Sequence, residues 1–178
     1  MPLSNNQILG VVISVVVFTL VAHTFYPRLF LFTAFVALGL ISKYYKALYA
    51  VSFLIVDLTD LFVYLTFYKL GPSYAFMIAP IFAYTYLAMG WAGNEGPTDA
   101  TARLIGILIS TLLLFQLGVM FPPMMAIVIY VTVAGFIWGM LQMLVFHIPN
   151  PIYFPIALCR GVLYYKLLPY FMPLLGLG

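Results

Sequence analysis

The stretch ALYAVSFLIVDLTDLFVYLTFYK, residues 47–69, decides how this chain is read. It is long enough to cross a bilayer and almost wholly apolar, yet Asp57 and Asp60 stand near its middle. A bilayer core about 30 Å thick takes about 20 consecutive apolar residues as a helix. An aspartate at the centre of such a helix costs about 3 kcal/mol on insertion scales. Two of them need protons, basic partners or a water-filled cavity.

The rest of the chain supports a lipid setting for that stretch. Of 178 residues, 66% are hydrophobic and only 6% charged, where a soluble domain is about one quarter charged. Mean hydropathy is +1.16. The composition implies one integral membrane domain over residues 1–178, with no segment polar enough for a soluble one. Seven basic and four acidic residues are too sparse for a nucleic-acid surface. A single cysteine, Cys159, excludes an intramolecular disulfide and a cysteine-only metal cage. MPLSNNQ (1–7) lacks the basic region of a secretory signal, so the first apolar run is expected to stay as an anchor.

Six or seven helices are expected in an all-α, polytopic bundle. The spans are Ile8 to Tyr26, a short Leu29 to Ile41, Ala47 to Tyr68, Pro72 to Trp91, Leu104 to Phe121 and Met124 to Phe146. A last apolar segment runs from Ile152 to Leu175. The breaks fall at YPR (26–28), SKYYK (42–46), KLGPS (69–73), the polar loop GNEGPTDATAR (93–103), FPP (121–123) and HIPNP (147–151), where proline, glycine or charge interrupts the apolar run. Continuous apolar runs, rather than short alternating segments, exclude a barrel. With alternating spans, Lys43, Lys46 and Arg103 fall on the N-terminal side, which favours a cytoplasmic N-terminus. No internal repeat supports an inverted-repeat transporter.

On one continuous helix, Asp57 and Asp60 share a face, and Tyr64 stands one turn beyond Asp60. Two readings are open: a substrate- or ion-binding site, or an ion pair pinning this helix to another. Arg160, in the apolar run IALCRGVLYYK (156–166), is the expected partner, because its planar fork matches a carboxylate; the alternative is that it snorkels to the interface. Lys166 is expected to snorkel to the interface. His23 and His147 show no metal-ligand spacing, and neither a metal nor a cofactor is expected. Thr98 or Asp99 is expected to cap the helix starting near Arg103. Gly135 and Gly139 have the Gly-x-x-x-Gly spacing that lets helix backbones approach, and Gly106 with Ser110 and Gly10 with Ser14 have looser versions of it. There is no phosphate loop, HExxH or GxSxG, so an enzyme is not expected.

NPIYFPIALCRGVLYYKLLPYFMPLL (150–175) resembles the closing helix of S components of energy-coupling-factor transporters. DLTDLFVYLTFYKLGPSYAFMIAPIFAYTYLAMG (57–90) is similar to the middle of those proteins, or of the similarly folded rod-shape protein MreD. The resemblance implies about six helices and a small-molecule-binding membrane subunit working with a transmembrane partner and ATPases. The family's Ala-x-x-x-Ala on the first helix is absent here, where only Gly10 and Ser14 stand, so no binding residue is carried over. The function expected is a small-solute or ion transport component with an intramembrane acidic site, or alternatively a structural or accessory subunit of a larger membrane complex. The expected partners are the lipid bilayer, other membrane subunits and a small molecule or ion, with no nucleic acid.

Overall fold

The structure is a computed structural model. It describes residues 10, 13–14, 16–18, 20–21, 26–48, 57–88, 97–117, 121–147 and 153–174. All regular structure among them is α-helical. The described residues between 10 and 21 are helical and exposed. Six further helices follow: α1 (Pro27–Leu48), α2 (Thr59–Leu70), α3 (Pro72–Ala88), α4 (Pro97–Leu117), α5 (Pro123–Leu144) and α6 (Tyr153–Leu174). Within them, residues 97–116 and 123–144 form helices long and apolar enough to cross a membrane.

The short helix α2 is the centre of the fold. Every residue from Thr59 to Thr66 is buried, as expected of a helix that is apolar all round. The others form an arc about it, in the order α1, α3, α4, α5, α6. Ring contacts hold α2 to both ends of the arc: Phe62 lies against Phe35 of α1 and edge-on to Phe171 of α6. The arc helices show the expected one-sided stripe. In α5, Ala126, Ile127, Tyr130, Val131, Ala134, Trp138 and Gln142 are buried at three- and four-residue spacing. In α6, Ala157, Arg160, Gly161, Tyr164 and Leu168 repeat the pattern.

Small residues set the closest approaches. A Cβ on Gly106 of α4 would stand 2.6 Å from the Ala134 carbonyl oxygen of α5. One on Gly161 of α6 would press against Val128 of α5, and one on Gly39 of α1 would strike the Phe82 ring of α3. Gly106 therefore marks a close α4–α5 approach. Gly135 and Gly139 are both buried in α5, while among the described residues nothing lies within reach of a Cβ on Gly10.

Three expected boundaries are corrected. The short second span is a full 22-residue helix running through SKYYK to Leu48. It continues because the Lys43 ammonium is buried and donates to the Phe82 carbonyl of α3. The span from Ala47 to Tyr68 is not one helix. Its first two residues end α1, 49–56 lie outside the described residues, Asp57 is non-helical, and α2 starts only at Thr59. The fifth span starts at Pro97 rather than Leu104, with proline in the first turn, where its missing N–H costs nothing. The polar loop is thus partly helix. These shifts also remove the basis for orientation: Lys43 and Arg103 are buried and are not flanking charges.

The chain stops α5 by a left-handed residue. Val145 and Phe146 both donate to the Leu141 carbonyl, and His147 follows at φ +54°. That gives His147 a place as a helix terminator. His23 lies outside the described residues.

Candidate functional site: a buried acid–arginine cluster

The break before α2 and the first turn after it bring together Asp57, Asp60, Arg103 and Arg160. Asp57, in the non-helical residue two positions ahead of the helix, is completely buried. Its Oδ1 accepts the Thr59 backbone N–H at 3.2 Å and the Thr59 hydroxyl at 2.6 Å, so it caps one of the donors a helix start leaves open. Its Oδ2 accepts from Arg103 Nη2 of α4 at 2.9 Å. The same nitrogen donates to the Thr59 hydroxyl oxygen at 2.8 Å.

The backbone of the break is equally well held. The Asp57 carbonyl accepts from the Tyr164 hydroxyl of α6. The Leu58 N–H donates to Ser42 Oγ of α1 at 2.9 Å. A non-helical turn in so apolar a region persists because its polar groups find partners on α1, α4 and α6.

Asp60 is held differently. It lies in the first turn of α2, where the helix dipole favours an acid. Its contacts are long: 3.5 Å from Oδ1 to Arg103 Nη2 and 3.7 Å from Oδ2 to Arg160 Nη1 of α6. Arg160 Nε is buried and, among the described residues, has no hydrogen-bond acceptor. Between these groups lies a small cavity of about 10 Å³, walled by Asp60, Arg103 and Arg160 together with Ala134, Gly135, Trp138 and Ala157 among others.

A second layer steadies Arg103. Its guanidinium lies over the Trp138 ring at 5.4 Å, a cation–π distance. Trp138 Nε1 donates to Asp99 Oδ1 at 2.9 Å, and the Gln142 amide donates to the same oxygen. Asp99 is thus a buried acceptor for α5 and not the cap of a helix starting near Arg103. Among the described residues, and including Lys43, the buried charges are three acids (Asp57, Asp60, Asp99) and three bases (Lys43, Arg103, Arg160), which formally balance.

The expected site residues therefore separate. Asp57, Asp60 and Arg160 come together, with Asp60 rather than Asp57 facing Arg160. The two acids do not share a helix face, because Asp57 precedes the helix. Tyr64 does not reach Asp60: its hydroxyl donates to the Pro123 carbonyl at the far end of α5, and its ring lies against Tyr68 and Tyr130. Gly135 lines the cavity, and Lys166 is exposed. Arg103, the central base, was assigned by sequence to the polar loop. The signal that places it deeper is PTDATAR (97–103), a proline followed by an acid in a first helical turn, which puts Arg103 nearly two turns into α4. In the sequence alone Lys43 likewise falls in the SKYYK break.

No protein-family model, curated protein or solved structure matches this chain.

Proposed function

We propose that the chain is a multi-pass integral membrane protein of six or seven spanning helices. Its charge distribution supports a lipid setting. Among the described residues six charged side chains are buried and three (Arg28, Lys69 and Lys166) are exposed, whereas Leu112, Phe115, Met125, Leu144 and Leu158 stand exposed around the perimeter. Charged inside and apolar outside suits hydrocarbon as the solvent, not water.

Within that frame the protein is a transport component handling a small solute or an ion, with Asp60 and Arg160 as its working pair. One observation carries this reading: the two acids are unequally satisfied. Asp57 is locked by hydrogen bonds from Thr59 and Arg103 at 2.6–3.2 Å. Among the described residues Asp60 has only contacts of 3.5 and 3.7 Å, and it borders a cavity. A purely architectural pair gains from tight geometry; a loose one can exchange partners. The site also sits where a helix of about 18 Å begins inside the protein, an arrangement suited to binding polar groups. The resemblance to energy-coupling-factor S components adds a partner class, a transmembrane subunit with ATPases.

A second reading, a structural or accessory subunit, is favoured by the small size of the cavity. In that reading the whole cluster ties α2 to α4 and α6.

The experiment is proton and cation flux. The protein is purified from native membranes with its co-purifying partners and reconstituted into vesicles containing pyranine, with a valinomycin-set potassium potential. The transport reading predicts flux above protein-free vesicles and its loss in Asp60→Asn. Vesicles as tight as the protein-free control, from a preparation in which the chain is a fixed-ratio subunit of a larger complex, favour the structural role.

A further inference from the structure

We propose that the cavity beside Asp60 is a binding site for one neutral oxygen ligand, a single water molecule bridging the Asp60 carboxylate and Arg160 Nε. The inference goes beyond the transport reading, since an accessory subunit would hold the same water.

Size comes first. About 10 Å³ of space is roughly what one buried water occupies by this measure. Chemistry comes second. A buried water needs two to four polar partners. Here Arg160 Nε is a buried donor lacking an acceptor among the described residues, and the Asp60 carboxylate is an acceptor with no direct contact shorter than 3.5 Å. Arg160 is more than nine-tenths buried, with 7% of its side chain exposed. A water can accept from the first and donate to the second. It also explains why Arg160 Nη1 and Asp60 Oδ2 stand 3.7 Å apart, beyond direct hydrogen-bond reach.

Charge comes third. Among the described residues the buried acids and bases balance, so a resident ion, as opposed to one in transit, would leave one unit of charge in a low-dielectric interior. A cation would face two guanidinium groups, and an anion would face Asp60. A neutral guest meets neither objection. The consequence is a division between the two acids. Asp60 has water as an immediate proton partner, whereas both Asp57 oxygens are engaged by Thr59 and Arg103.

The test substitutes one wall residue with two side chains of similar size. Ala157→Ser brings an oxygen into the cavity, and Ala157→Cys brings a sulfur, a poor hydrogen-bond partner. If the cavity holds a hydrogen-bonding oxygen, the serine hydroxyl can take over its contacts, and Ala157→Ser melts several degrees above Ala157→Cys. The same pair at Ala75, which is buried among apolar residues in α3, gives the opposite order. Cysteine melting at or above serine at both positions marks a dry void and overturns the proposal. A high-resolution map of the unmodified protein gives an independent decision. Density for one water within hydrogen-bond distance of both Arg160 Nε and the Asp60 carboxylate supports the site, and an empty cavity overturns it.

Discussion

Removing Arg103 should damage this protein far more than removing Arg160. Arg103 donates two short hydrogen bonds, to Asp57 at 2.9 Å and to Thr59 at 2.8 Å. It also approaches Asp60 and lies over Trp138. Arg103→Gln leaves Asp57 as a buried carboxylate deprived of its arginine, and breaking such a pair costs about 3–5 kcal/mol. Loss of the ring contact adds about 0.5–2 kcal/mol. Arg160→Gln removes a 3.7 Å contact and the proposed water bridge, but Asp60 keeps Arg103, so a loss of about 1–2 kcal/mol is expected, in the range of one modest polar contact. The assay is thermal loss of the monodisperse peak in detergent, run on Arg103→Gln, Asp57→Asn and the double variant. The pair should couple: the double variant should be more stable than the sum of the single losses predicts by more than about 1 kcal/mol. Additive losses, or an Arg160→Gln protein as fragile as Arg103→Gln, would refute the assignment of Arg103 as the central base.

Other expectations follow from the packing. Gly106→Leu should separate α4 from α5, because a Cβ there meets the Ala134 carbonyl oxygen at 2.6 Å; overpacking of this kind costs about 1–3 kcal/mol, and an unchanged melting temperature would remove the contact. Gly135→Leu and Gly139→Leu should also lower melting in detergent, since both glycines are buried in α5. Asp99→Ala deprives Trp138 and Gln142 of a shared acceptor and should cost about 1–3 kcal/mol, accompanied by a change in Trp138 fluorescence. Lys166→Gln, at an exposed position, should leave stability within about 0.5 kcal/mol of the parent.

What the sequence makes legible is the all-helical fold and the existence of an interior charge problem. Continuous apolar runs and proline-rich breaks locate α3, α5 and α6 to within a few residues. The failures share one cause. Hydropathy sums cannot see a polar group whose partner lies far along the chain. Lys43 looks like a loop residue until Phe82 supplies a carbonyl 39 positions away. Asp57 looks helical until Thr59, Tyr164 and Arg103 stabilise a break there. Arg103 lies 46 positions from Asp57, and only the packing of α4 beside α2 brings them together. Arg160 stood out because no nearby charge competes for it in an apolar run, and it does lie beside Asp60, at the looser end of the cluster.

The most direct measurement is carbodiimide labelling of native membranes with a hydrophobic reagent, read by peptide mass spectrometry at Asp57 and Asp60. Such reagents modify carboxyl groups that take up a proton in an apolar setting. If Asp60 is the working acid and Asp57 the locked one, adduct accumulates at Asp60 and is absent from Asp57. Adduct at Asp57 in folded protein, or none at either acid across the pH range in which the protein stays folded, would contradict the division of the cluster into a fixed and an exchangeable half.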